Sequence, residues 1–538
     1  MVLYALRMIP GPVVLLACLV SFLQSAASFN VRDFGASGKA ADDARPAFQR
    51  AIDACAAAGG GTVLVPPGAY TSGSIELRSH LRLVVEAGAT IFSAKGKEAF
   101  PTEAVFHGED LENVTLEGRG TIDGRAEYEW RENDHDDCYI RPNLLLMQAA
   151  GKSLRRSFPK KDSVGHLVRL VRCKDVQIRG LSFVRSPSWT IHLWGCERIV
   201  IDGIDVRTSL ADGVWADGID PDGCRDLRIS NCTIETGDDA LVFYSTSLFG
   251  PARPCEDVTV TNCRFTSSSS AIKFCDGNQN CVRRVAIDNC VIANSNRGLA
   301  FMVFDGGYVS DVVVSNVVIE CARRDWFWWG DGDPIHFNVK RRNEIDPRLP
   351  ADKQPPAGSI RNILLRNVIA RGVGTSSIEG HPDRPLENVV FDGLALHLSS
   401  DPSAPYDKSD HALSIRSARN FELRNVEVFW DEPASPRWKS ALSVESVDGL
   451  RLEGLRVRQA AAGGEEPAIL FRKIDGALLR GCTALDGTFE FLRVVGGGSR
   501  DLQLVGNDLR AAKVPWSADA EEVRSSAIRS SGDLVRTP

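Results

Sequence analysis

The chain has 538 residues, with 63 Lys and Arg against 70 Asp and Glu and a formal net charge of −7. That balance argues against a nucleic-acid partner but leaves room for an acidic polysaccharide met by a local basic cleft. A chain this long ordinarily divides into about three or four domains. A solenoid escapes that expectation because its core grows along one axis, and 47 glycines with 7% aromatics suit an all-β chain of coils and turns.

Residues 1–27 carry Arg7, the apolar run from Val13 to Phe22 and small residues from Ser25 to Ser28. This is the pattern of a secretory signal peptide cleaved near Ala27. The apolar run is too short to span a bilayer comfortably. The mature chain is therefore expected to be secreted, extracellular or periplasmic, with no membrane contact after cleavage.

Residues 28–61 read as an N-terminal cap. Asp43 is placed to N-cap a helix, Pro46 suits its first turn, and Phe48, Ile52 and Cys55 share one face. Gly59, Gly60 and Gly61 stop it. A single amphipathic helix ahead of many strands would cover the open end of a solenoid, where edge groups are otherwise unpaired.

From Thr62 short alternating strands begin and then recur. Asp175–Gly180, Asp226–Asn231, Asp257–Asn262, Arg284–Asn289 and Asp311–Asn316 share one pattern, with Asn231, Asn262, Asn289 and Asn316 at intervals of 31, 27 and 27. Each unit reads as a strand, a bend at Asn or Gly, and a second strand. Periods of this length indicate a solenoid, and the expected form is all-β, a right-handed single-stranded parallel β-helix over residues 28–510. The pattern fades after 510, so 511–538 is expected to be a loosely ordered tail. Two insertions, 127–162 and 321–359, break the rhythm; the second carries Trp326, Trp328 and Trp329, suited either to stacking on sugar faces or to packing onto the coil.

Fourteen cysteines, with Cys18 in the leader, leave thirteen, so at least one stays unpaired or pairs between chains. Cys232, Cys263 and Cys290 follow the recurring asparagines and should stack as buried thiols. No Cys/His set has zinc-ligand spacing, and no metal or cofactor is expected.

One repeat is chemically distinctive. It places Asp217 and the pair Asp238–Asp239 21 residues apart, with Leu227–Cys232 as an alternating strand between them. If a repeat is one coil, these acids return to one lateral position, offset by about 4.8 Å. Glycosidic bonds are cleaved by paired carboxyl groups. Crowded carboxylates raise the pKa of one member so that it holds a proton near neutrality. Asp at turns also serves as a plain cap, but two such sites one coil apart and flanked by glycines favour catalysis.

In these residues the chain resembles glycoside hydrolase family 28, the polygalacturonase and rhamnogalacturonase family. Phe29–Gly35, the helix and Gly59–Gly68 resemble that family's entry, and Ser186–His192 its segment before the active site. Asp217-Gly218 matches its Asn-Thr-Asp-Gly motif, and Gly237-Asp-Asp239 its Gly-Asp-Asp motif. The resemblance implies a β-helix that hydrolyses pectic polymers with inversion. Asp238 would be the general acid, and Asp217 and Asp239 would hold and deprotonate the attacking water. The family's Gly-His-Gly and Arg-Ile-Lys segments are replaced here by Ser269–Phe274 and Gly298–Met302. Lys273 and Arg297 are the local substitutes expected to bind substrate, with Trp189 and His192 lining the cleft one coil earlier. Asp305 is a more distant candidate.

Two other classes fit the same pattern. A β-helical lyase or epimerase would use Asp217, Asp220, Asp222 and Asp239 as oxygen ligands for Ca²⁺. A non-catalytic carbohydrate-binding solenoid would not require adjacent repelling carboxylates. The expected protein is a monomeric, exported hydrolase whose partner is a pectic or related acidic polysaccharide or oligosaccharide.

Overall fold

The computed structural model describes residues 28–134, 141–152, 155–159, 165–324, 330–346, 348–350, 354–404, 406–519 and 528–536. The expected signal peptide and Trp326, Trp328 and Trp329 lie outside the described residues.

Successive strands pair in parallel with the equivalent strand one coil later, forming three ladders among the described residues. One contains Lys174–Arg179, Glu197–Asp202, Arg225–Ser230 and Cys255–Thr261. A second contains Ser182–Val184, Asp205–Arg207, Thr233–Thr236 and Arg264–Ser267. The third contains Ile191–Trp194, Ile219–Asp222, Leu241–Ser245, Ser270–Asn278, Arg297–Val303 and Asp333–Val339. Parallel strands joined this way coil right-handedly, and the architecture is a right-handed parallel β-helix.

Alternation sets the inward face. In Arg225–Ser230, Leu227 and Ile229 are buried and Arg228 is exposed. Leu227 lies in register with Ile199 and Val258, so equivalent apolar side chains stack from coil to coil. Phe243, Phe274, Phe301 and Phe337 form such a column, with Phe274 and Phe301 parallel at 4.3 Å. Stacking lets a narrow coil bury large side chains that it could not cover alone.

The bend after the first ladder needs a left-handed backbone, and Asn tolerates it better than other non-glycine residues. Asn231, Asn262, Asn289, Asn316 and Asn367 take φ of 58°, 54°, 56°, 54° and 57°. Their amides also join coils: Asn367 Nδ2 donates to Asn316 Oδ1 at 2.8 Å, and Asn262 Nδ2 to Asn231 Oδ1 at 3.5 Å. Cys232, Cys263 and Cys290 follow as buried free thiols, as expected.

The cap helix spans Arg45–Ala57 and buries Phe48, Ile52 and Cys55, with Phe48 edge-on to Tyr70 at 5.7 Å. Its N-cap is Ala44, not Asp43. Asp43 stands one residue earlier because it bridges to Thr71 of the first coils, and from there its Oδ1 accepts the Arg45 N–H at 2.9 Å.

The repeat also runs past residue 510. Val514–Ala518 pairs with Glu490–Val495, Ile528–Ser531 with Arg500–Val505, and Leu534–Val535 with Asp508–Leu509. Leu534 and Val535 are 53% and 48% exposed. These strands continue the backbone ladder with only Ala518 and Ile528 partly buried against the core, so their sequence carries little alternating signal.

In the first insertion Trp130–Asp134 pairs antiparallel with Arg155–Pro159. Trp130 Nε1 donates to the Pro187 carbonyl at 3.1 Å, tying the insertion to the segment just ahead of the acidic turns.

Candidate active site

The acidic residues sit where the second ladder turns into the third. After Thr233–Thr236 the chain bends through Gly237, Asp238 and Asp239 into Leu241–Ser245. A Cβ on Gly237 would lie 2.2 Å from the Ser209 carbonyl oxygen and 2.6 Å from Gly213 Cα, so only glycine fits. The Gly237 N–H donates to Thr208 Oγ1 at 2.8 Å. The Asp238 carbonyl accepts from Thr236 Oγ1 at 2.7 Å and Ser267 Oγ at 2.6 Å. Packing and hydroxyl bonds thus fix the turn before any substrate arrives. One coil earlier, the Gly218 N–H donates to the Asp239 carbonyl at 2.9 Å. Asp217 therefore meets the Asp238–Asp239 pair across one coil spacing, as the repeat requires.

Asp217, Asp220, Asp238 and Asp239 are all buried. Asp238 accepts from the Trp215 N–H at Oδ2 and from the Asp239 N–H at Oδ1, both at 3.0 Å. Three donors converge on Asp239: Ser269 Oγ at 2.8 Å, the Ser270 N–H at 2.9 Å and Lys273 Nζ at 2.9 Å. Asp220 is 0% exposed and shares a side-chain hydrogen bond with Asp217.

Burial, then the charge of Asp239, pushes the Asp238 carboxyl up to about 7, with Lys273 opposing. Burial holds Asp217 and Asp220 well above the usual carboxylate range, and the neighbouring carboxylates add to it. Four close carboxyls beside one ammonium cannot all ionise. The cluster retains protons near neutrality and shares them. It can therefore offer a proton from one carboxyl while another withdraws one from water.

The four residues expected to bind substrate fare differently. Trp189 is half-buried and stacks on Tyr244 with ring centres 5.0 Å apart. His192 is 1% exposed and lies edge-on to Trp189 at 4.9 Å, with Nε2 3.7 Å from Asp222 Oδ2. It stands in register with Asp220 on the same outward face, covered there by Trp189 and Phe249. Lys273 is buried against Asp239 and also lies 3.5 Å from Asp276. Its charge is directed into the acid cluster. Arg297 is buried, with Nε 3.0 Å from Asp333 Oδ2. It forms part of the wall of a separate cavity farther along the helix. Asp305 is held by Arg342, whose Nη1 also reaches Asp276 at 3.0 Å. Arg342 therefore fastens the second insertion to the rim beside Lys273.

Sequence reasoning places Asp220 only in the calcium alternative and passes over Trp215. Among the described residues no group of three or more His, Cys, Asp and Glu side chains is arranged to hold a metal ion. The signal for Asp220 was its place three residues after Asp217 in the same motif. Trp215 stands where the resembled motif has Asn. Its backbone is left-handed (φ 62°), its side chain is 47% exposed, and its N–H binds the carboxyl of Asp238. Arg342 carries no local motif and is found only through the fold.

Comparison with known proteins agrees with this architecture. The family described as Glycosyl hydrolases family 28 matches residues 55–323, which contain all four clustered aspartates. A probable polygalacturonase of Vitis vinifera is 25% identical over 405 residues, covering 70% of this chain and 75% of that protein. An exopolygalacturonase of Platanus acerifolia is 25% identical over 284 residues, covering 52% and 67%. Among solved structures, an exopolygalacturonase from Thermotoga maritima superposes with a TM-score of 0.55 at 22% identity, covering 78% of this chain and 91% of that one. A family 28 exopolygalacturonase of Yersinia enterocolitica gives 0.56 at 17% identity, covering 80% and 78%. With half of its length matched to the family, including the acidic coils, this chain belongs to glycosyl hydrolase family 28 and is a glycoside hydrolase.

Proposed function

We propose that the protein is an exported hydrolase of a pectic, galacturonate-containing polysaccharide, acting with inversion of configuration. The observation that carries this reading is the buried acid cluster, in which burial and the charge of Asp239 push the Asp238 carboxyl up to about 7 beside Asp217. The polygalacturonases and exopolygalacturonases similar to this chain support the substrate class.

Asp238 protonates the glycosidic oxygen as the bond breaks, being protonated at and below neutrality. Asp239, with three donors fixing its orientation, and Asp217 hold the attacking water and take its proton. Lys273 is a positioning residue that holds the Asp239 carboxylate. The leader-like segment 1–27 supports export.

The test is proton NMR of the first product released from polygalacturonate, with ultraviolet absorbance followed in parallel. Inversion yields the β-anomer from the α-linked polymer, without an unsaturated product. Retention of the α-configuration would overturn the water-activating roles of Asp217 and Asp239. An absorbing unsaturated uronate would show elimination in place of hydrolysis.

A further inference from the structure

Two coils beyond the acid cluster the third ladder opens into a cavity of about 390 Å³. It lies on the same face as the catalytic residues, because Lys273, Ala300, His336, Ser377, Ser414 and Ser443 are in register on consecutive strands. A coil spacing of about 4.8 Å is close to the length of one pyranose. The cavity floor therefore offers three successive hydroxyls at the pitch of a sugar chain leading away from Asp239.

Its charges are already spent on one another. Arg297 pairs with Asp333, Lys408 with Asp331, and Arg416 with Glu379 and Glu445. Asp410 is a further carboxylate on the wall, so the lining holds three cations against four acids. Burial lowers the pKa of His336 and His411, and neither imidazole adds charge at neutral pH. A bound uronate would meet no uncompensated cation and would add one more negative charge in a partly dry pocket. Hydroxyl groups fit what remains. Asp331 Oδ1 is buried without a hydrogen-bond partner, and His411 lines the wall; the serine hydroxyls can donate to and accept from a diol, whose own hydroxyls can donate to the wall carboxylates.

We infer that this cavity is a subsite for an uncharged pyranose, either a neutral sugar or an esterified uronate, carried a few units from the scissile bond of the same polymer. This rests on the proposed pectic substrate, and it makes that substrate a mixed chain in place of a free-acid homopolymer. Arg297, expected from sequence to bind a uronate, instead forms part of the charge-balanced floor.

The test uses the full chain with Asp238→Asn, so that binding is read without turnover. Calorimetry compares three oligosaccharides of equal length: free-acid oligogalacturonate, its methyl ester, and alternating rhamnose and galacturonate. Tenfold or tighter binding of either uncharged-unit oligomer over the free acid is expected, and which of the two binds tighter identifies the source of the uncharged unit. Adding Ser414→Lys places a cation in the cavity and should shrink that preference to less than threefold. Adding His411→Gln instead should weaken the preferred oligomer with little effect on the free acid. Equal or tighter binding of the free acid, a preference that survives Ser414→Lys, or no binding of any probe would each overturn the inference. Absence of hydrolysis by the wild type would sink the proposed function while leaving these binding results to stand or fall separately.

Discussion

At the scale of single residues, the acid cluster sets stability against function. Asp220 is fully buried, and burial with the neighbouring carboxylates pushes its carboxyl well above its ordinary value. Its folded-state pKa exceeds that of the unfolded chain, so the folded protein binds more protons once the unfolded Asp begins to ionise near pH 4. Stability from this group is fully present below that pH and is lost as pH rises toward the folded value. Asp220→Asn, nearly isosteric and uncharged, should therefore stabilise the protein increasingly as pH rises. A gain in stability at pH 7 is therefore expected, each tenfold difference in proton affinity between the folded and unfolded chain being worth about 1.4 kcal/mol, and the gain should disappear at pH 4 in urea melts. Much of this site was legible from sequence because Asp217, Asp238 and Asp239 lie in two turns one repeat apart. Lys273 was also found beside the cluster, but not its partner: its side chain turns inward because Asp239 lies in the adjacent coil, a contact that only the register discloses.

At the scale of elements, the coils are held by what repeats at each bend. Asn262 takes a left-handed backbone and exchanges amide hydrogen bonds with the asparagines of both neighbouring coils. Asn262→Ala should cost about 1–2 kcal/mol from the left-handed conformation alone. Asn262→Gly, free of that strain, should cost less, and chemical denaturation of the pair separates the turn from the side-chain ladder. Phe274 lies between Phe243 and Phe301, so Phe274→Ala should cost about 3–5 kcal/mol. The bends could be read from sequence because Asn recurs at a nearly constant interval. The last coils could not, since Ile528–Ser531 and Leu534–Val535 join through backbone bonds and leave their side chains exposed or half-buried.

At the scale of the whole molecule, the β-helix is a one-dimensional core whose outer loops decide what reaches the acids. The eleven described cysteines are buried and free. None of these thiols should react with a disulfide reagent in the native protein, and all should react once it unfolds; rapid native labelling at Cys232, Cys263 or Cys290 would contradict the stacked core. The cap helix, the ladders and the acidic coil were legible because each repeats or punctuates a pattern. Arg342 and the charge-balanced cavity were not, because they bring together residues from coils far apart in sequence. What joins these features to function is turnover by the acid cluster, and the direct measurement is release of reducing ends from polygalacturonate and from mixed pectic polymers across pH, with wild type beside Asp238→Asn. The expected result is wild-type hydrolysis that declines above about pH 7 as Asp238 loses its proton, with a loss of about 10³-fold in the variant. Unchanged turnover in Asp238→Asn, or activity that rises through pH 8, would contradict the role of Asp238 as the proton donor.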